Sequence, residues 1–497
     1  MRSILPSLVL VATTLSGAAA AQAVFEPPQI VPLQFPFAFL SNAELGDLDQ
    51  DGDLDAVFTT GAGTGGEIQT LVNDGSGVFT QGPAKSGFGG QTAADLHDMD
   101  GDGLPDYVLA LGNLVIVLVG DGEGLFDSSM SFQPTFPPNR VEAADVTGDG
   151  IPDVVFTSPI VPFFQLPATL QVWAGTGTGF TQIHSQQLAG SPTDLDLADV
   201  NGDGRLDAVV ERLGVVTWHA GLASGAFGGA TAIGGTVAAS RAAVEDLDGD
   251  GDADLVLGST TPQVQTLVND GTGAFSPGVT LPAGVGGASP AIADIDSDGL
   301  QDLVLDDTGS GGGQLVIWRG VGGGAFEEDV HVTAGGQQGG GQVLVAELDG
   351  DARPDVYVMN GSSAIFLNRT YGAGSPFLDL GFALTGSFGY PVQIASGALT
   401  AGTPFSFRLL NGVPGAPATL VLGISAAYIP HKGGVMVPSP DFLYPGFVMN
   451  GAGAFTLAGT WPNGIPSGAT GYLQWWFKDS FGPTPKAATS GLRFTTP

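Results

Sequence analysis

A nine-residue acidic pattern occurs seven times in this chain, and it restricts the fold to repeat architectures. The copies follow the form Asp-x-Asp-x-Asp-Gly-x-x-Asp with substitutions, and successive copies begin 47 to 54 residues apart. This spacing is typical of one small antiparallel sheet per repeat. We number the copies as loops one to seven; they begin at Asp47, Asp98, Asp145, Asp199, Asp246, Asp294 and Glu347.

The segments between the loops have the pattern of short strands joined by tight turns. Each loop is followed by an apolar run such as AVFTT or VVFTS, and then by a second run that ends in glycines and phenylalanine. QTLVNDGSGVF, which ends at Phe79, and QTLVNDGTGAF, which ends at Phe275, are examples. With 80 glycines, 34 prolines and only 13% charged residues, the composition favours an all-β fold.

Loop, strand, glycine turn and phenylalanine together resemble the FG-GAP (or VCBS) repeat, which is found in the integrin α-subunit head. The resemblance covers residues 24–370 and implies a seven-bladed β-propeller of the secreted bacterial type. The seventh copy stops short of an outermost strand, whereas VFEPPQIVPLQF near the N-terminus resembles the segment that follows each glycine turn. We therefore expect the N-terminal segment to complete the seventh blade.

The loops have the chemistry of calcium sites. Positions 1, 3, 5 and 9 are almost always carboxylates, and position 6 is glycine in six of the seven copies. Unneutralised carboxylates this close repel by about 1 kcal/mol per pair in water, so a bound dication would stabilise each loop. Many oxygens on a flexible loop favour Ca²⁺ over Mg²⁺. We expect up to seven structural calcium ions, and the resemblance implies that position 7 contributes its backbone carbonyl.

The candidate metal ligands are taken from all seven loops. They are Asp47, Asp49, Asp51, Asp53 and Asp55 in loop one; Asp98, Asp100, Asp102 and Asp106 in loop two; Asp145, Thr147, Asp149 and Asp153 in loop three; Asp199, Asn201, Asp203 and Asp207 in loop four; Asp246, Asp248, Asp250, Asp252 and Asp254 in loop five; Asp294, Asp296, Asp298 and Asp302 in loop six; and Glu347, Asp349, Asp351 and Asp355 in loop seven.

Departures from the pattern predict unequal sites. Loop seven has Glu347 at position 1 and Ala352 in place of glycine, and it should bind calcium most weakly. Thr147 and Asn201 reduce the charge of loops three and four. An EF-hand is disfavoured because it needs a glutamate at position 12, which is Phe58 in loop one. The alternative that these residues only form turns does not explain carboxylates at the same four offsets.

From residue 371 the sequence changes character, with only three acidic and five basic residues. Runs such as FSFRLL, ATLVLGIS and YLQWWFKD predict a β-sandwich over residues 371–497, loosely similar to a C-terminal domain of exported proteins from some environmental bacteria. In YLQWWF, alternation places Tyr472, Gln474 and Trp476 on one face. That face could stack on sugars, but packing in a core is the favoured interpretation.

The N-terminus has the pattern of a secretory signal peptide over residues 1–23. Arg2 precedes an apolar run that ends at Leu15, and small residues follow it. We therefore expect a secreted protein, extracellular or at the cell surface, with the periplasm as an alternative. No later run of about 20 apolar residues predicts a membrane span. A net charge of −36 excludes attraction to nucleic acid or anionic lipid as the main activity, and the absence of cysteine excludes disulfides.

Function is less constrained than fold. The five histidines are scattered and no nucleophile motif has a convincing context, so we assign no catalytic residue and expect no enzyme. The first hypothesis is a monomeric adhesion or binding scaffold for an extracellular polysaccharide or protein. The alternatives are a propeller-based polysaccharide lyase or hydrolase, and a structural component of a surface layer or matrix.

Overall fold

The structure is a computed structural model, and it describes residues 24–26, 28–31, 40–60, 66–88, 91–212, 214–234, 239–259, 261, 263–282, 290–307, 314–333, 342–351, 353–359, 363–370, 375–380, 384, 387, 391–410, 412–432, 434–480, 482 and 485–497. Within these ranges the regular structure is 39 strands and one 3₁₀ turn, Pro162–Phe164. The all-β prediction is confirmed. The predicted signal peptide, residues 1–23, lies outside the described residues.

Seven four-stranded antiparallel sheets are present in the described part of the chain, and each contains one acidic loop between its first two strands. Sheet one consists of β2 (Leu40–Gly46), β3 (Asp55–Thr60), β4 (Glu67–Asn73) and β5 (Phe79–Ser86). Sheet two consists of β6 (Gln91–His97), β7 (Asp106–Leu111), β8 (Leu114–Gly120) and β9 (Phe126–Phe132). Sheet three consists of β10 (Arg140–Ala144), β11 (Asp153–Ser158), β12 (Thr169–Gly175) and β13 (Phe180–Gln187).

The next three sheets repeat this order. Sheet four consists of β14 (Asp194–Ala198), β15 (Asp207–Arg212), β16 (Val215–Gly221) and β17 (Phe227–Ile233). Sheet five consists of β18 (Ala239–Glu245), β19 (Asp254–Ser259), β20 (Gln263–Asn269) and β21 (Phe275–Pro282). Sheet six consists of β22 (Ala291–Ala293), β23 (Asp302–Asp307), β24 (Gln314–Gly322) and β25 (Ala325–Thr333).

Sheet seven joins the two ends of this region. It consists of β26 (Gln342–Ala346), β27 (Asp355–Met359), β28 (Ser363–Phe366) and the N-terminal strand β1 (Gln29–Val31). β1 pairs antiparallel with β28, with Gln29 opposite Ile365 and Val31 opposite Ser363. The prediction that the N-terminal segment completes the seventh sheet is confirmed. The pairing covers the backbone edge of β28, which would otherwise be open to association.

The sheets follow one another in a closed cycle. The first strand of each sheet contacts the first strand of the next, and β26 of sheet seven contacts β2 of sheet one. A cluster of buried apolar side chains fills each joint between consecutive sheets, including the joint between sheets seven and one. At that last joint, the rings of Phe79 and Tyr357 lie 6.1 Å apart. The core is thus divided among the joints, and burial of apolar area holds neighbouring sheets together.

The phenylalanine after each glycine turn belongs to these clusters. Phe79, Phe126 and Phe227 each begin a fourth strand and are buried. Trp218 and Trp318 are buried in the same way, and Trp173 packs against the cluster between sheets two and three. Core packing of the three tryptophans, the favoured interpretation, is confirmed.

Residues beyond 375 form further sheets of the described chain. A six-stranded sheet contains β29 (Phe377–Asp379), β39 (Leu492–Thr495), β37 (Thr470–Lys478), β32 (Pro417–Gly423) and β35 (Phe442–Val448), with β38 (Lys486–Ala488) paired to β37. A three-stranded sheet contains β30 (Val392–Ser396), β31 (Pro404–Leu410) and β36 (Phe455–Thr460). A hairpin contains β33 (Ala426–His431) and β34 (Gly434–Pro438).

The aromatic run YLQWWF lies in β37, in the interior of the six-stranded sheet. Trp475 and Phe477 are buried in one apolar cluster and Trp476 in another. Gln474 is also buried, and its side-chain oxygen accepts hydrogen bonds from the Val437 N–H and the Trp476 indole. Core packing, the favoured interpretation, is therefore confirmed for Gln474 and Trp476, while Tyr472 on the same face is half-buried.

Among the described residues, no helix has the length and hydrophobicity needed to cross a bilayer.

Closure by the N-terminal segment predicts a sharp contrast between two nearby substitutions. Phe25 is 3% exposed and packs edge-to-face on Phe366, whereas Ile30 is 39% exposed. Phe25→Ala should lower the free energy of unfolding by about 3 kcal/mol because it leaves a cavity. Ile30→Ala should cost less than about 1 kcal/mol. Urea titration monitored by tryptophan fluorescence measures both, and equal effects would contradict this closure.

Candidate metal sites in the acidic loops

One buried carboxylate, at position 9, fixes the path of each loop. In loop two, Asp106 accepts hydrogen bonds from the Met99 N–H at 2.8 Å and from the Gly120 N–H at 2.9 Å. The first bond returns the start of the loop onto β7, and the second ties the loop to the third strand of the sheet. The same two bonds, at 2.6 to 3.1 Å, occur at Asp55, Asp106, Asp153, Asp207, Asp254, Asp302 and Asp355.

The other carboxylates shape the backbone of the loop itself. The position 1 carboxylate accepts a hydrogen bond from the N–H of position 6, as Asp145 does from Gly150 at 2.7 Å. The position 5 carboxylate accepts one from the N–H of position 7, as Asp149 does from Ile151 at 2.9 Å. The position 6 glycines have φ between +82° and +95°, a left-handed conformation that explains the preference for glycine. Ala352, the exception in loop seven, lies outside the described residues.

These turns bring three carboxylates together in five of the described loops. One oxygen from each of three side chains lies within 4.8 Å of the others. The groups are Asp47, Asp49 and Asp55; Asp98, Asp100 and Asp106; Asp246, Asp248 and Asp250; Asp294, Asp296 and Asp302; and Glu347, Asp349 and Asp351. In loops one, two and six the position 5 carboxylate lies outside the group of three. It accepts a hydrogen bond from the loop backbone instead, as seen at Asp51, Asp102 and Asp298.

Loops three and four lack the carboxylate at position 3, and no such group of three forms in their described residues. In loop three, the Thr147 hydroxyl donates to Asp145 at 3.2 Å. In loop four, the Asn201 amide donates to Asp207 at 2.9 Å, while Asp199 and Asp203 bond to the loop backbone. A neutral donor thus stands where the other loops have a third anion, which fits the weaker binding predicted for these two loops.

Two of the candidate ligands face away from their own loops. The Asp53 carboxylate lies directly against Gly75, and that of Asp252 lies directly against Gly271, in the glycine turns of their sheets. A side chain at either glycine would collide with the carboxylate, and both glycines have positive φ. The position 7 side chains of loops one and five therefore lie against the glycine turns and outside the carboxylate groups.

Electrostatics favours a cation in these groups. Burial raises the pKa of Asp55 to about 6, hydrogen bonds from Asn73 and Leu48 oppose the rise, and neighbouring carboxylates add to it. Burial and neighbouring carboxylates likewise raise the pKa of Asp302 to about 7, against hydrogen bonds from Gly320 and Ile295. A dication supplies the missing positive charge, and these all-oxygen groups fit a hard ion such as Ca²⁺ or Mg²⁺.

The loops lie at the joints between sheets. The carbonyl at loop position 2 accepts a hydrogen bond from the following sheet: Leu48 from the Gly124 N–H at 3.0 Å and Val200 from the Asn269 amide at 2.7 Å. Asn73 and Asn368 donate in the same way to Leu348 and Ile295. In the sequence these asparagines end the motifs LVN and FLN, at the end of the third strand or just after it. The acidic pattern alone does not point to them.

Comparison with known proteins agrees with this arrangement. The FG-GAP-like repeat family matches residues 47–109, 98–156 and 246–305, each of which begins at the start of an acidic loop. These three segments are FG-GAP-like repeats, and the closed cycle of four-stranded sheets that contains them is a β-propeller. No curated protein sequence matches it significantly.

Several solved structures have a similar chain path. BBS1N in complex with ARL6DN is 9% identical, with a TM-score of 0.48 over 72% of this chain and 99% of that one. A lectin from Agrocybe aegerita that recognises non-reducing terminal N-acetylglucosamine is 17% identical, with a TM-score of 0.46 over 69% and 96%. The WD40 domain of Toxoplasma gondii coronin is 10% identical, with a TM-score of 0.43 over 71% and 90%. The fold of this propeller is established by its own strand pairing.

The propeller also has an acidic cluster that its loops do not include. Four carboxyls occupy the same place on four successive first strands, three residues before the loop: Glu44, Asp95, Glu142 and Asp196. Burial raises the pKa of Glu142 well above its usual value, and Asp95 and Asp196 add to the rise. Glu211 on β15 lies opposite Asp194, and both of its carboxyl oxygens are buried without a hydrogen bond. The sequence signal is the shared offset from the loops.

The position 9 carboxylate should be the most sensitive residue of a loop. Asp254→Ala leaves the buried N–H groups of Leu247 and Asn269 without an acceptor, and each such group costs about 1 to 3 kcal/mol. We expect a loss of about 3 kcal/mol, a smaller loss for Asp254→Asn, and none for Glu123→Gln on the surface. Urea titration measures all three, and an Asp254→Ala variant within 0.5 kcal/mol of the parent, on the order of experimental error, would refute this assignment.

Glu211 should make the propeller less stable at alkaline pH. Burial raises its pKa to about 8, Asp194 adds to the rise, and Arg140 and Arg241 oppose it. Because the unfolded value is about 4.3, the folded state binds the extra proton between these values, and stability falls as pH rises.

The stability advantage of Glu211→Gln over the parent should therefore be about 3 to 4 kcal/mol larger at pH 8 than at pH 5. Glu245→Gln, at an exposed position on a first strand, is the control. Melting curves from pH 5 to 8 test this, and a difference that does not change with pH would contradict it.

Proposed function

We propose that this chain is an exported, calcium-loaded propeller that serves as a scaffold for binding an extracellular polysaccharide or protein. In this proposal residues 1–23 are a signal peptide, residues 24–370 form seven blades around one axis, and residues 371–497 form a β-sandwich. Calcium is structural, and the chain acts as a monomer.

The observation that carries the calcium part is the set of carboxylate groups at the sheet joints. Each group supplies oxygens from three side chains within 4.8 Å of one another, and oxygen atoms are the ligands that Ca²⁺ takes. Because the same loops accept hydrogen bonds from the following sheet, an ion there would stiffen the contact between two blades. No position in these loops suggests an activated water, so the role is structural rather than catalytic.

The binding part is supported by an exposed apolar surface of the C-terminal region. β35 is the edge strand of the six-stranded sheet, yet Phe442, Leu443, Tyr444 and Val448 are all exposed. Ile424 lies close to this strand, since its N–H donates to Asp441 at 2.9 Å. We call these five residues the C-terminal apolar surface. An apolar edge strand open to solvent is typical of a contact site, because it favours association.

A second candidate function is supported by the first-strand carboxyls. Glycoside cleavage requires two carboxyl groups, one of them with a raised pKa. The pKa values of Glu142 and Asp196 are both raised well above their usual range. The test is cleavage of acidic and neutral polysaccharides by the parent chain and by Glu142→Gln. Product from the parent but not from the variant would favour the enzyme over the scaffold.

Calcium removal should lower the melting temperature strongly. An ion held at a concentration of 100 times its Kd stabilises the folded state by about 2.7 kcal/mol per site, so emptying several loops should lower the Tm by about 10 °C or more. Differential scanning calorimetry with excess chelator, followed by addition of calcium, measures this. An unchanged Tm in chelator would refute structural calcium.

The scaffold proposal is tested by a glycan array and by pull-down of matrix polysaccharides, each with and without calcium. We expect calcium-dependent binding that Leu443→Asp on the C-terminal apolar surface weakens and that Val78→Asp, an exposed change on the propeller, does not affect. No binding to any glycan or matrix fraction would favour the purely structural alternative.

A further inference from the structure

The seventh loop already contains positive charge supplied by the protein. The Arg369 guanidinium bonds to Asp349 at 2.6 Å through Nη2 and to Asp351 at 2.9 Å through Nη1. These carboxylates occupy positions 3 and 5, which are candidate metal ligands. Arg353 also donates to Asp351, through Nη2 at 2.7 Å and through Nε at 3.1 Å.

The charges of loop seven balance as they would with an ion. Glu347, Asp349, Asp351 and Asp355 are the four acidic residues of the pattern, and Arg353 and Arg369 together carry the two positive charges of one calcium ion. In loops one, two and five, the described residues include no ion pair between an arginine or lysine and a loop carboxylate. A guanidinium in direct contact with two ligand carboxylates neutralises them, and it would repel a dication bound beside it.

Position 1 of loop seven also departs from the other loops. One Glu347 carboxyl oxygen accepts hydrogen bonds from the N–H groups of both Asp349 and Asp351, at 3.0 Å each. The longer side chain thus folds onto the loop backbone at positions 3 and 5. Because two guanidinium groups contact its carboxylates, the residues of loop seven do not fit calcium as those of loops one, two, five and six do.

Arg369 also joins loop seven to the N-terminal segment. Its Nε bonds to Glu26 at 3.1 Å, and Arg408 from the C-terminal region approaches the same Glu26 oxygen at 3.5 Å. The backbone is tied at the same place, since the Arg369 N–H donates to Val24 and the Glu26 N–H donates to Leu367. The side chain is only 16% exposed, so water screens these pairs weakly.

We propose that loop seven binds no metal ion and that the Arg369 guanidinium is its permanent cation, so that closure of the ring by residues 24–31 does not depend on calcium. This inference rests on the proposed function in that the other loops hold calcium. It separates the joints whose loops bind calcium from the joint at loop seven, which does not need the ion.

Two measurements test this inference. The first is the number of calcium ions bound per chain, by equilibrium dialysis of the full chain and of two matched variants. Asp349→Asn in loop seven should leave the number unchanged, whereas Asp248→Asn, the same position in loop five, should lower it by about one. A loss of one ion in Asp349→Asn would overturn the inference.

The second measurement is the melting temperature in excess chelator. Arg369→Met should lower it by at least about 3 °C relative to the parent, because the loop loses one of its two guanidinium charges together with the ion pair to Glu26. The control Arg205→Met removes an arginine that pairs with position 5 of loop four but contacts no N-terminal residue, and it should change the Tm less. An Arg369→Met variant that melts with the parent in chelator would overturn the inference.

The two proposals fail in different ways. If the parent chain and Asp248→Asn both bind no calcium, the proposed function fails, and the melting of Arg369→Met in chelator still decides the role of the guanidinium. If only Asp349→Asn behaves differently from expectation, the calcium scaffold stands and the permanent closure is wrong.

Discussion

The architecture depends on one buried interaction, in which the position 9 aspartate accepts hydrogen bonds from the start of its loop and from the third strand of its sheet. Each of these carboxylates is 0% or 1% exposed and bonds to the same two backbone groups. Water does not replace these bonds at such buried sites. A buried N–H that loses its acceptor costs more free energy than an ordinary hydrogen bond contributes to stability. The loop is therefore held rigidly, and the carboxylates at positions 1, 3 and 5 are grouped before any ion binds.

Carboxylates grouped at the joints repel one another, and the strength of this repulsion differs from loop to loop. Where three carboxylates meet, as at Asp98, Asp100 and Asp106, a bound cation would offset their mutual repulsion. In loop four the Asn201 amide donates a hydrogen bond to Asp207 where other loops have another carboxylate. In loop seven Arg369 supplies positive charge from the chain itself. In the proposed function, calcium stabilises the joints of the other acidic loops, whereas the Arg369 guanidinium takes its place at loop seven.

The sequence was sufficient for the repeat and for the loops, because their spacing and residue types follow from local rules. The alternation of strands, the phenylalanines in the joints and the pairing of β1 with β28 agree with what the pattern predicts. The roles of Asn73 and Glu142 could not be predicted from the sequence in the same way. Their importance depends on contacts between sheets that are far apart in sequence, such as the bond from Asn73 to Leu348. Arg369 is a similar case, since one arginine after FLN gives no local indication that it enters loop seven.

The most direct test of this account is a crystal structure of the chain grown with calcium, with anomalous difference maps used to locate the ions. The account predicts peaks within the carboxylate groups of loops one, two, five and six, at about 2.3 to 2.6 Å from the oxygens, and the Arg369 guanidinium in loop seven. Empty loops one, two, five and six in saturating calcium would contradict the central claim that ions join these sheets. A calcium peak between Asp349 and Asp351 would contradict the permanent closure.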